Sequence, residues 1–232
     1  MKATSFTVQA YTRIRNDILA CRLGPGPGQK INISELCSQL GFSLGAVREA
    51  LSRLTSEGLV ESEPNKGFRV APITQEELED LTQTRILIEG ECLKSAIRNG
   101  DLRWETGIVS ILFELSRIEL QDSQDPARVN PVWVETHRRF HEALVAACDS
   151  PWLLRLREML YAQSERYRSA SVPLDQTRRD IASEHRALAD AAIARDAQTA
   201  CAALRDHLQL TTCILVDAQV AEKRSEAPRK TA

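Results

Sequence analysis

The sequence predicts a mainly α protein in two parts: an N-terminal helical unit with a small β-wing, and a C-terminal all-α bundle of about six helices. Three observations lead there. From Thr74 to Val220 apolar residues recur every three or four positions with few interruptions. Between Ile31 and Val70 two short helical stripes meet at a glycine, and short extended runs follow. Charge divides at the same place, because residues 1–72 hold nine Lys or Arg against six Asp or Glu while the remainder holds 21 against 26.

Taken in order, Val8–Ala20 is the first helix, with Tyr11, Ile14, Ile18 and Leu19 in one stripe. The Gly-Pro run from Leu23 to Gly28 is a connection, since no helix or strand interior tolerates it. Ile33, Leu36, Cys37 and Leu40 then share a helical face, and Gly41 ends that helix by taking the left-handed conformation a C-cap needs. Ser43 caps a second helix whose apolar face is Val47, Leu51 and Leu54, leaving Arg48, Ser52 and Arg53 on other faces. In LVESEPNKGFRV the turn Pro64-Asn65-Lys66-Gly67 separates two extended runs, giving a wing with a basic tip. The whole is a winged helix-turn-helix, a shape whose second helix enters a DNA major groove. Ser43 at the start of that helix and, by charge and position, Arg53, Lys66 and Arg69 are expected at the DNA. Gly67 would let the wing tip approach the minor groove.

The first domain ends at residue 72 and the second spans 73–220. Thr74 opens it as a capping box with Glu77, starting a helix from Gln75 to Arg98 that stops at Asn99-Gly100. The next runs from Arg103 to Gln121, with Trp104, Ile108, Ile111, Leu115 and Ile118 in one stripe. After a loop over Ser123–Asn130, Pro131 starts a helix to Cys148, and Ser150-Pro151 starts another to Ser169. Helices over Thr177–Arg195 and Ala197–Val220 complete the bundle, and the polar tail 221–232 is expected to be disordered. No apolar run approaches the roughly 20 residues of a membrane span, and the N-terminus lacks the apolar core of a signal peptide. A cytoplasmic location and no membrane partner follow. The six cysteines form no CxxC pair and are read as reduced core residues.

The four histidines, His137, His141, His185 and His207, all fall in the bundle and in apolar stripes, such as Trp133, His137, Phe140, His141 and Leu144. His137 and His141 are four apart, the spacing that stacks two side chains on one helical face. A single inward histidine is ordinarily a hydrogen-bonded core residue. Four converging on one interior, with none left for the surface, suit a borderline divalent metal, zinc ahead of nickel or copper. A metal can also activate water, so a metal-dependent hydrolase is one alternative. Its base would have to be Glu142, Glu184 or Asp206, each adjoining a histidine in sequence. Helical neighbours point about 100° apart, so these acids face solvent or at best bond an imidazole, and no catalytic residue is assigned. A helical interaction module without DNA function is the other alternative.

Residues 8–71 resemble the GntR-type winged helix, most clearly in Val47-Arg-Glu-Ala-Leu51, Glu57-Gly-Leu-Val60 and Asn65-Lys-Gly-Phe-Arg-Val70. The rest resembles the helical effector domain of the FadR subfamily, the FCD type, in Thr84-Arg85, Glu89, Phe140-His141, His185 and His207. The resemblance implies a homodimeric transcription regulator, often a repressor, that binds operator DNA and a small carboxylate beside a metal held by one Asp and three His. His141, His185 and His207 match the three histidines, and His137 stands where the family has Asp. The substitution leaves the site one unit more positive, so an anionic effector gains weight in completing the coordination shell. The stretch from His137 through Ala147-Cys-Asp-Ser-Pro-Trp-Leu-Leu154 is similar to regulators of the CsiR or GlaR type, linked to glutarate and 2-hydroxyglutarate, which implies a short dicarboxylate. Arg85 is the candidate to pair an effector carboxylate, with a structural bridge between helices as the alternative. On the DNA side Arg48 matches a family DNA-contacting arginine, whereas Ser34 and Leu44 stand where the family commonly has Arg.

Overall fold

The protein is described by a computed structural model over residues 5–19, 22–23, 28–64, 66–72, 74–125, 128–171 and 179–226. Ala20, Cys21, most of the Gly-Pro run, Asn65, Ile73, the expected helix start at Thr177 and the end of the tail lie outside the described residues. The first elements are α1 (Phe6–Leu19), β1 (Lys30–Ile31), α2 (Ile33–Leu40), α3 (Leu44–Ser56), β2 (Val60–Glu63) and β3 (Gly67–Val70). Then come α4 (Gln75–Asn99), α5 (Leu102–Leu115), α6 (Pro131–Val145), α7 (Pro151–Ser171), α8 (Ile181–Ile193) and α9 (Ala197–Glu226). The chain separates into two compact units, Met1–Glu77 with Ala162–Ala170, and Leu78–Tyr161 with Ser171–Ala232.

In the first unit, α2 ends at Gly41, whose φ of 71° lets its N–H reach the Cys37 carbonyl. Ser43 Oγ then accepts the Ala46 N–H at 3.3 Å and starts α3. The core forms where Ile14 and Ile18 of α1 meet Val47, Leu51 and Leu54 of α3, with Leu59 and Val70 closing it. The sheet is antiparallel in the order β1-β3-β2. The wing proper was expected; β1 was not, because two residues are too few for an alternation pattern to register. It exists because β3 offers a second edge, against which Val70 N–H finds the Gln29 carbonyl at 3.0 Å.

In the second unit Leu93, Ile108, Phe140, Leu144, Leu188 and Leu204 form the core. The capping box before it is present, with Thr74 Oγ1 accepting the Glu77 N–H at 3.1 Å. Helix α5 stops at Leu115 rather than at the expected Gln121. Ser116 Oγ donates to the Phe113 carbonyl at 2.7 Å, which competes with helix continuation, and the chain beyond pairs Gln121 with Val129 in an antiparallel bridge. Ile118, the last residue of the expected stripe, is still half-buried against the core together with Leu120, but from non-helical backbone. Helix α9 continues to Glu226, past the expected boundary at 220. Between α8 and α9 Arg195 takes a φ of 62°, while its guanidinium donates to the carbonyls of Ile97 at 2.7 Å and Gly100 at 2.9 Å. Cys37, Cys92, Cys148, Cys201 and Cys213 are free thiols, but Cys213 is exposed rather than in the core.

Candidate metal centre

Three helices bring the histidines together. On α6, the four-residue spacing puts His137 and His141 on the face that also carries Phe140 and Leu144, so burying that face buries both imidazoles. His185 comes from the buried stripe of α8, and His207 from α9. All four are buried, and one ring nitrogen of each lies within 4.8 Å of the others. Trp133 stacks on His137 at 4.6 Å between ring centroids, fixing that ring's plane.

Two of the rings are held at Nδ1 by polar partners. Tyr161 Oη lies 3.3 Å from His137 Nδ1, and Glu184 Oε2 lies 2.8 Å from His207 Nδ1. These contacts engage Nδ1 of His137 and of His207, as in metal sites where an oxygen partner orients an imidazole. His137 Nε2 and His141 Nε2 are 3.2 Å apart. In metal-free protein that separation suits an N–H···N bond between neutral rings. It also matches a shared ion, because two nitrogens about 2.05 Å from a tetrahedral zinc stand about 3.3 Å from each other. The donor set therefore fits a divalent ion, which His137, His141, His185 and His207 would hold.

The electrostatics agree. Burial, followed by the neighbouring His207 and His185, holds His141 well below the ordinary imidazole range, and burial likewise lowers His207 despite its bond to Glu184. Both rings are therefore neutral at neutral pH, the form in which an imidazole can hold a metal. Burial pushes Glu184 upward, but its bonds to Arg179 and His207 prevail and hold it at about 2. A carboxylate that weakly basic, clamped by Arg179, is a poor proton acceptor. Glu184 adjoins His185 in sequence yet bonds His207, the supporting role expected of such an acid. Glu142 instead pairs with Arg138, away from the cluster.

Beside the histidines lie two buried arginines. Arg85, expected at the effector, donates through Nε to Glu89 Oε1 at 2.7 Å. Arg157, buried on α7, was not anticipated, nor were Tyr161 and Arg179 in their present roles. A signal existed: Leu154, Arg157, Tyr161 and Ser164 recur at helical spacing, so an arginine sits within the inward stripe of α7.

On the winged unit, Arg48 is exposed on α3 and makes no ion pair or hydrogen bond among the described residues. Ser43 spends its hydroxyl on the cap. Arg53 stacks over the Tyr11 ring at 4.0 Å and lies 3.7 Å from Glu57. Arg69 sits between Glu61 at 2.6 Å and Glu63 at 3.2 Å, while Lys66, exposed at the wing, lies 3.6 Å from Glu63. Gly67 has a φ of 93°, a left-handed conformation that a side chain would strain.

A winged helix-turn-helix followed by a helical bundle with a buried histidine cluster is the build of a DNA-binding regulator with a second, helical domain. Residues 6–70 match the gntR family of bacterial regulatory proteins and residues 80–210 match the FCD domain, so the chain belongs to the gntR family with an FCD domain. It is a DNA-binding transcriptional regulator and not an enzyme. It is 38% identical over 205 residues to the uncharacterized HTH-type transcriptional regulator BphR of Paraburkholderia xenovorans (strain LB400), covering 88% of this chain and 83% of that one. With the HTH-type transcriptional repressor GlaR of Escherichia coli (strain K12) it shares 33% over 212 residues, covering 88% and 93%. The fold also matches the solved E. coli McbR/YncC, with a TM-score of 0.74 at 21% identity over 93% of this chain and 99% of that one. Among the described residues no helix is long and apolar enough to cross a membrane.

Proposed function

We propose that the chain is a homodimeric, cytoplasmic repressor whose affinity for operator DNA is set by a small carboxylate bound beside a metal in the helical domain. Residues 1–72 serve as the DNA-reading head and 73–220 as the effector-binding and dimerisation domain. The observation that carries the reading is the meeting of His137, His141, His185 and His207 with their ring nitrogens within reach of one ion. Zinc suits four imidazoles best, with nickel or another divalent ion as substitutes. The repressor assignment rests on the name of GlaR, and glutarate or 2-hydroxyglutarate is the effector type the sequence resemblance implies.

At the DNA, α3 would lie in the major groove with Arg48 as its reading or orienting cation, since that guanidinium is exposed and uncommitted. Ser43, Lys66 and Gly67 flank the same approach. Arg53 and Arg69 would contribute only by leaving their acidic partners, so they rank behind Arg48. In the bundle, a carboxylate favouring one arrangement of α4, the continuous helix that bears Arg85 and starts three residues after Pro72, would shift the population of DNA-competent dimers.

The test is binding to a duplex taken from upstream of the protein's own coding region, followed by fluorescence anisotropy. Wild type should bind with an affinity that falls steeply with salt, and Arg48→Ala should lose about 1–3 kcal/mol at unchanged melting temperature. Salt-insensitive binding, or full affinity in Arg48→Ala, would count against the DNA half of the reading.

A further inference from the structure

Arg157 is 3% exposed, and its Nε and Nη2, both sealed from solvent, make no hydrogen bond. Among the described residues the acid within ion-pair reach is Glu89, whose Oε2 stands 3.9 Å from Arg157 Nε. That carboxylate is already committed, because its other oxygen takes the Arg85 Nε–H at 2.7 Å. Two guanidiniums thus share one carboxylate where water cannot screen them, and a buried cation left so is costly unless an anion joins it. Tyr161 links the two guanidiniums to the histidines. The guanidiniums of Arg85 and Arg157 stand 5.4 and 4.7 Å from the centroid of its ring, and its hydroxyl lies 3.3 Å from His137 Nδ1.

We infer that Arg157 receives the second carboxylate of the short diacid proposed above: one carboxylate would go to the histidine-held ion and the other would close on the Arg157 fork. The inference rests on the reading of the histidines as a metal site. Its chemistry is that of paired N–H donors facing a planar carboxylate, with the Nε–H of Arg85 already given to Glu89. Charge points the same way. A divalent ion on four neutral imidazoles keeps both its charges, and Arg157 adds the one that Glu89 does not cancel. A dianion offsets most of that sum, whereas a monoacid of equal length leaves Arg157 as it is.

The experiment is calorimetric titration of the zinc-loaded full chain with glutarate and with pentanoate, for wild type, Arg157→Met and Arg157→Lys. Zinc content is measured for each. Wild type should prefer glutarate by about ten- to a hundredfold, the range of a hydrogen-bonded charge pair. Arg157→Met should bind the two acids alike and still hold its zinc, and Arg157→Lys should fall between, having the charge without the fork. Because Arg157 is an unmatched cation in the ligand-free protein, Arg157→Met should melt no lower than wild type. A preference retained in Arg157→Met, equal affinities in the zinc-loaded wild type, or a melting temperature well below wild type in Arg157→Met would each overturn the diacid inference and leave the metal reading standing. A wild-type chain that takes up no zinc would overturn the metal reading and this inference with it.

Discussion

His141 shows at the level of one residue what burial does to an imidazole. Its surroundings depress its pKa, burial first and the neighbouring imidazoles next, so the folded ring takes a proton only well below 6.5, the value it regains on unfolding. Between those two pH values the unfolded chain binds more protons than the folded one, and acidification therefore favours unfolding. Metal-stripped protein should hold its melting temperature above pH 6.5 and lose it progressively below. His141→Asn should blunt that loss, and a flat profile in wild type would mean that the ring is not buried neutral. Sequence revealed the histidines well, because His137 and His141 carry their own spacing and four inward imidazoles are uncommon. It revealed their surroundings poorly. Arg157 and Tyr161 follow the same helical spacing on α7, but an arginine in an apolar stripe is ordinarily taken for a surface residue with a long stem.

At the level of elements, α3 shows a cap and a core face acting independently of any DNA contact. Ser43→Ala removes the acceptor of the Ala46 N–H and should cost about 1 kcal/mol of stability. A loss of DNA affinity without any change in melting would instead make Ser43 a phosphate contact. Leu51 is fully buried between α1 and α3, and Leu51→Ala should cost about 2–5 kcal/mol, enough to abolish DNA binding through unfolding of the head. Circular dichroism melts alongside anisotropy separate the two effects. The helices and wing were legible because each carries its own periodicity and punctuation: Gly41, Ser43, the capping box at Thr74 and Pro131. The end of α5 and the strand β1 were not: α5 stops at a Ser116 hydroxyl bond to Phe113 that breaks no apolar stripe, and β1 depends on a partner distant in sequence, Arg69 for Lys30.

Over the whole molecule, the division of charge follows the division of labour: the cationic part carries the winged helix and the acidic remainder buries the histidines. We propose that these histidines hold a metal through which a carboxylate acts. The measurement that tests it most directly is the metal content of protein purified without chelator and supplied with zinc, by mass spectrometry, in wild type and His185→Ala. About one ion per chain is expected in wild type, largely lost in the variant while the fold persists. No bound metal in wild type, or an undiminished content in His185→Ala, would contradict it and return the four imidazoles to the status of hydrogen-bonded core residues.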